Sequence, residues 1–255
     1  MLTQEDETYL AVLIAVSFLA LILIFFVINL MYNQRKIRQL QKTLISAEII
    51  TLEKERKRFS QDLHDDIGPN LSAVLLYCNI LQPVNEENTK ALLKVEEILT
   101  LTLSQIRAIS RNITPQYLTE QGLEKSLEIM VGNFNQAIHD KTRVVLNIDS
   151  IPTNLNEMEN LNVYRIVQEA INNAIKHASP SEIRINISVS GTKTSVLISD
   201  NGSGFEYTGM GNNSKSGAGI GLKNIQSRVI FLGGQLNIYS QLGKGTKIVA
   251  EIPIS

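Results

Sequence analysis

The chain has 255 residues, with 24 Lys and Arg against 25 Asp and Glu, and a formal net charge of −1. That balance excludes the basic surplus of a typical nucleic-acid binder, so no direct nucleic-acid contact is expected. A single cysteine excludes an internal disulfide framework and fits a reducing compartment.

The first predicted element is a membrane span. Leu10 to Met31 contains no charged residue, and at 1.5 Å per residue it reaches roughly 33 Å, enough for the hydrocarbon core. The acidic residues before it (Glu5, Asp6, Glu7) and its length argue against a cleaved signal peptide. Arg35, Lys36, Arg38 and Lys42 follow directly, so the rest of the chain is expected in the cytoplasm. The expected placement is single-pass in a bacterial cytoplasmic (inner) membrane, with a tail of residues 1–9 outside and the span at 10–31. So short a tail buries no core, and a sensory input is expected through the span, a partner membrane protein or the cytoplasm.

Ile37, Leu40, Leu44 and Ala47 form a short heptad stripe flanked by charge, which predicts a coiled-coil signalling helix over 32–50. Helical spacing returns at Ile67, Leu71, Val74, Cys78 and Leu81, and Pro83 with Asn85-Glu86-Glu87-Asn88 breaks it. A second stripe runs through Leu92, Val95, Leu99, Thr102, Ile106, Ile109 and Ile113, and Pro115 ends it. Two such helices make an antiparallel hairpin over 51–115. One hairpin cannot cover both stripes, but two in an all-α four-helix bundle can, so a homodimer is expected. Cys78 lies on the stripe and reads as a core residue. The stripe does not continue unbroken through His64. Phe59 and Leu63 are one position out of register with it, which predicts a shift there that turns His64 to solvent. Pro69, five residues on, lacks the amide that would bond to the Asp65 carbonyl and predicts a bend.

Beyond Pro115 helices and strands mix, predicting an α+β sandwich over 116–255 with helices on one face of a sheet. Helices are expected over Gly122–His139, Leu155–Ala178 and Ile220–Leu232. Strands are expected over Thr142–Asp149, Glu182–Ser190, Lys193–Asp200, Gln235–Gln241 and Thr246–Ile254. Gly209–Gly217, rich in Gly, Asn and Ser, reads as a mobile loop.

Three groups here suit a nucleotide. Glu169 and Asn173, four apart on one helix face, can offer a carboxylate and an amide oxygen to Mg²⁺ and its waters. Lys176 comes next, where it could meet a phosphate. Asp200 ends a strand and precedes Gly202 and Gly204, where glycine lets backbone approach a flat ligand. Its carboxylate can accept from the adenine amino group, whereas guanine would present acceptor to acceptor, a mismatch of about 1–3 kcal/mol. Gly217, Gly219 and Gly221 lead into a helix N-terminus, a phosphate cradle; no strand precedes them, so a Rossmann reading fails. Singly, these are a polar helix face, a hairpin turn and a glycine loop. Their order behind a histidine-bearing helix is what unites them.

Together the motifs resemble a sensor histidine kinase. Glu169-Ala-Ile-Asn-Asn173-Ala-Ile-Lys-His is similar to the N box of the GHKL (Bergerat) ATPase fold shared with gyrase. Asp200-Asn-Gly-Ser-Gly204 resembles the G1 box, Gly217-Ala-Gly-Ile-Gly-Leu222 the G2 box, and Gly243-Lys-Gly-Thr246 the last glycine motif. Glu-Arg-Lys-Arg-Phe-Ser-Gln-Asp-Leu-His64-Asp-Asp is similar to the H box of nitrate-sensor and desaturase-sensor kinases. The resemblance implies ATP and Mg²⁺ as cofactors and His64 as phosphoacceptor, with Asp65 as the adjacent acid–base. It implies Asn173 with Glu169 at the metal, and Asp200 at adenine. It also implies a response-regulator partner with a receiver domain and a helix-turn-helix output. Many relatives carry Gln where Pro69 stands, a residue associated with dephosphorylating the regulator. The rival readings are a GHKL clamp without phosphohistidine and a non-enzymatic membrane adaptor.

Overall fold

The computed structural model describes residues 4–81, 85–113, 115–138, 141–152, 155–207 and 219–254. It divides into two compact units, residues 1–47 and 48–255. Helix α1 (Gln4–Asp62) supplies all of the described first unit. Among the described residues one helix is long and apolar enough to cross a membrane. Its side chains at Phe18, Phe25 and Phe26 are all more than 60% exposed.

In the second unit α1 ends in a π turn, Leu63–Ile67, which the Gly68 amide closes by donating to the Leu63 carbonyl. Helix α2 (Gly68–Ile80) restarts there, with Pro69 in its first turn. A proline inside an uninterrupted helix would lose a hydrogen bond and press its ring on the carbonyl four residues back. In a first turn its missing amide is no loss. The π turn inserts one residue into the helical count, which is the physical form of the register shift expected at His64.

Helix α3 (Glu86–Ile113) runs back along α2 and the π turn. The Ser60 and Ser110 hydroxyls meet at 2.8 Å in a buried contact near the open end of this hairpin. Cys78 and Leu103 are buried, as the stripe predicts for Cys78. Ile67, Val74, Leu81, Val95 and Ile109 are between 42% and 62% exposed. A lone hairpin has no second layer to cover them.

Helix α4 (Gln116–Ala137) begins six residues before the expected Gly122, capped by Pro115. Gly122 adopts φ +78°, so the expected start is a break between an opening turn and the main helix. His139, the expected end, lies outside the described residues. Helix α5 (Glu157–Asn173) opens on a capping box. The Asn156 side chain accepts from the Glu159 amide at 2.9 Å, and the Glu159 carboxylate accepts from the Asn156 amide at 2.8 Å. The expected continuation to Ala178 is instead a second π turn, Ala174–Ala178, ending at Ser179 with φ +45°.

Five strands form one sheet: β1 (Arg143–Ile148), β2 (Glu182–Ser190), β3 (Lys193–Asp200), β4 (Gln235–Ser240) and β5 (Thr246–Pro253), in the order β1-β2-β3-β5-β4. β1 and β2 are parallel, and the other pairs are antiparallel. Burial alternates along β2, with Ile183, Ile185 and Ile187 fully buried. This is the pattern of a sheet covered on one face. The core joins those residues to Val196, Ile198, Ala250 and Ile252, with Leu127 of α4, Ile166 of α5 and Ile225 of α6 (Ile220–Phe231). Edge strand β1 is tied to α4 by Asn135, which donates to the Val144 carbonyl at 3.0 Å and accepts from its amide at 2.9 Å. The α+β sandwich is present as expected. The loop expected over Gly209–Gly217 lies outside the described residues.

Candidate functional site

At His64, Nδ1 lies 3.1 Å from Asp65 Oδ1, and the two side chains are 73% and 72% exposed. In the neutral imidazole, a proton on Nδ1 donated to the carboxylate leaves the Nε2 lone pair facing solvent. The π turn is what presents the ring outward, next to the apolar hairpin.

Glu169, Asn173 and Gly221 come together across α5 and α6. A methyl group at Gly221 would sit 2.4 Å from Asn173 Oδ1, 2.6 Å from Asn173 Nδ2 and 2.6 Å from Glu169 Oε1. Asn173 Nδ2 is a buried polar atom with no hydrogen-bond partner among the described residues. A half-buried amide and a carboxylate gathered against a bare glycine backbone fit a hard cation that takes oxygen ligands and keeps several waters. The residues present therefore fit Mg²⁺ with a polyphosphate. Gly219 opens α6 in an exposed position with φ −57°. Gly217 lies outside the described residues. Lys176 is exposed and falls inside the second π turn. The widened turn rotates it farther from Asn173 than α-helical spacing would.

That π turn also joins the Glu169–Asn173 side to the Asp200 side. The Ala178 carbonyl accepts from the Ser203 amide at 2.9 Å. Asp200 Oδ1 accepts from the Gly202 amide at 2.8 Å, and the Thr246 amide also bonds to this carboxylate. Burial pushes the Asp200 carboxyl above its ordinary value of 3.8, against the pull of those two amides. Asn201 next door is structural, accepting from the Ser181 and Glu182 amides at 3.0 Å each.

The close approach expected of Gly202 and Gly204 is made to the protein itself. A methyl at Gly202 would lie 2.4 Å from the Ala178 carbonyl oxygen, and one at Gly204, where φ is +58°, 2.1 Å from that of Gln241. These glycines let strand-end and turn backbones touch.

No hydrogen bond or ion pair described joins His64 or Asp65 to the residues of the nucleotide cluster. What sequence reasoning missed is a buried charged contact of Glu53 with Arg165 and Arg228. Glu53 belongs to the run Glu-Lys-Glu-Arg-Lys-Arg and reads as a solvated face. The available signal was on the other side: Arg165 lies among Val163, Ile166 and Val167, and Arg228 beside Val229 on the apolar face of α6.

Residues 158–255 match the family of histidine kinase-, DNA gyrase B- and HSP90-like ATPases, and residues 55–118 match a histidine kinase family. The chain is 30% identical over 229 residues to the oxygen sensor histidine kinase NreB of Staphylococcus carnosus, covering 87% of this chain and 63% of that protein. It is 30% identical over 218 residues to the sensor histidine kinase MctS of Rhizobium johnstonii, covering 84% of this chain and 46% of that protein. Among solved structures, the histidine kinase domain of the Erythrobacter litoralis EL346 blue-light activated histidine kinase aligns with a TM-score of 0.47 at 17% identity, over 74% of this chain and 94% of that one. The chain thus spans less than two thirds of the length of either curated relative. Residues 55–118 and 158–255 therefore carry the two regions of a histidine kinase, and the chain is similar to the sensor histidine kinases NreB and MctS.

Proposed function

We propose that this protein is a membrane-anchored, homodimeric histidine kinase that phosphorylates itself on Nε2 of His64 and passes the phosphoryl group to an aspartate of a response regulator. The observation that carries the reading is the exposed His64 ring with Nδ1 engaged by Asp65, in the same chain as the Glu169–Asn173–Gly221 cluster.

The Nε2 lone pair attacks the γ-phosphorus of ATP in line, an N–P bond forms, and the bond from the γ-phosphorus to the bridging oxygen breaks to release ADP. Asp65 holds the Nδ1 proton, fixes the ring orientation and stabilises the positive charge that develops on the ring. Asn173 and Glu169 would hold Mg²⁺, which supplies neutralisation of phosphate charge when bound. Asp200, with Thr246 behind it, reads the adenine amino group.

The exposed apolar hairpin supports a homodimer completing a four-helix bundle. The apolar stretch of α1 supports a membrane anchor, with a membrane sensor protein as a further partner. A receiver-domain protein with a helix-turn-helix output is the partner class that takes the phosphoryl group.

The test is labelling from γ-³²P-ATP. Label is expected to be stable in alkali, lost in acid and absent from His64→Gln, which still binds nucleotide. Label that persists in His64→Gln overturns the assignment.

A further inference from the structure

Glu53 is a buried acid shared by two arginines. Its Oε2 lies 3.2 Å from Arg165 Nη2, its Oε1 2.7 Å from Arg228 Nη2, and all three side chains are at most 8% exposed. Arg228 Nη1 also donates to Asn162 Oδ1 at 2.8 Å, and Arg165 donates to Gln168 and to the Ile113 carbonyl. Burial lowers both guanidinium pKa values and Glu53 raises them back, while Arg56 nearby adds a third positive charge. Beside the contact lies a cavity of about 410 Å³ lined by Arg56, Ile109, Glu169 and Asn224.

The contact joins three elements with different tasks. Glu53 is on α1, eleven residues before His64, or about 16 Å along a helix. Arg165 is on α5, one and two turns before Glu169 and Asn173. Arg228 is on α6, the helix that begins at Gly219 and Gly221. The stalk helix is thus bonded directly to both elements that carry the nucleotide cluster, at a point distant from the phosphoacceptor.

The chemistry of the contact is that of a joint that opens. The ATPase portion holds itself together with apolar side chains: Val163, Ile166, Val167, Ile225 and Val229 are 0–1% exposed. Apolar residues at the stalk contact would hold it as well or better, because burying charge costs desolvation that the pairing only offsets. Charged groups behave differently once parted, since water resolvates each of them. Removing one partner while the contact stays closed leaves the others buried without compensation. Such a contact is firm when complete and weak when any member is withdrawn.

We infer that Glu53, Arg165 and Arg228 form a releasable latch that holds the ATP-binding portion against the stalk in a resting state. A shift of α1 that withdraws Glu53 frees this portion to bring the γ-phosphoryl group to His64. This rests on the kinase reading above.

The test uses the full chain in lipid nanodiscs. Glu53→Gln keeps the shape and removes the charge, and autophosphorylation is expected to rise about tenfold with nucleotide affinity unchanged. A second measurement reads docking itself. Arg56→Cys and Asn224→Cys, in a Cys78→Ser background, place one thiol on α1 and one on α6, both lining the one cavity. A bifunctional thiol reagent with a reducible linker is expected to join them, giving a protein that binds nucleotide without labelling until it is reduced, and Glu53→Gln is expected to lower the yield of that cross-link. If wild type labels on His64 but Glu53→Gln is no faster and the joined protein labels normally, the latch is wrong and the kinase reading stands. If wild type does not label at all, the kinase reading fails, and a cross-link yield unchanged by Glu53→Gln then overturns the latch separately.

Discussion

Gly221→Ala separates binding from folding, and the structure sets the size of each effect. The new methyl would lie 2.4 Å from Asn173 Oδ1 and 2.6 Å from Glu169 Oε1. Ordinary contact needs roughly 1 Å more. All the crowded atoms are ends of side chains, so the fold relieves the clash by turning them away. Overpacking of about 1–3 kcal/mol is then partly offset by the better helix propensity of Ala, about 1 kcal/mol. The melting temperature should move by only a few degrees. The same relief takes the two oxygen donors away from the cation. Losing charge-assisted contacts of about 1.5–3 kcal/mol weakens Mg-ATP by roughly 10- to 150-fold. Calorimetric titration with Mg-ATP, alongside a thermal melt, measures both. Gly219→Ala is the control: no described residue lies within 4 Å of its added methyl and its φ is −57°, so affinity should hold. Gly204→Ala is the opposite control, since its methyl would meet the Gln241 backbone at 2.1 Å with φ at +58°, and it should melt far lower. Equal losses of affinity at Gly219 and Gly221, or none at Gly221, would refute the placement of the cation donors.

Asp200→Asn should weaken ATP binding while leaving the melting temperature the same or higher. The folded carboxyl titrates above its ordinary value, so its ionised form costs stability at neutral pH, and that cost is relieved as pH falls through the folded pKa. By the same sign, wild-type ATP affinity should begin to fall on acidification at a higher pH than an ordinary Asp would give, and the pH dependence should vanish in Asp200→Asn. Asn156→Ala, which removes the capping box of α5, should cost about 1 kcal/mol in a denaturant titration; an unchanged midpoint would show that packing alone fixes that helix start. Added with ADP to purified phospho-regulator, the protein should not speed its decay, because Pro69 has no amide to orient a water. Rapid decay that is lost in Asn70→Ala would reverse this and identify Asn70 as the orienting residue.

Strand limits were legible because alternation and turn chemistry agree there: Glu182–Ser190 and Lys193–Asp200 stand as read around Gly191. The polar constellations were legible because few other structures require Glu169, Asn173 and Asp200 with glycines in that order. Both π turns were hidden. One added residue in a helix leaves hydrophobic spacing nearly intact, so only the misregister around His64 betrayed the first, and nothing marked the second at Ala174–Ala178. The glycines at 202 and 204 were legible only as places of close approach, since a bare Cα shows that something comes close without showing what. Glu53 was invisible because its burial depends on partners more than a hundred residues away.

The π turn at Leu63–Ile67 makes His64 the neighbour of a spare residue. Removing any one residue of that turn would let a plain α-helix run through with its upstream and downstream faces still aligned, because the turn already absorbs the extra residue. Pro69 would then sit in a helix interior with its ring against a carbonyl. Aligned against relatives that have no proline there, this stretch is therefore a place where a gap in the alignment carries physical meaning. Hybrid kinases that splice a foreign sensor to this hairpin should keep the turn and its proline as a single block.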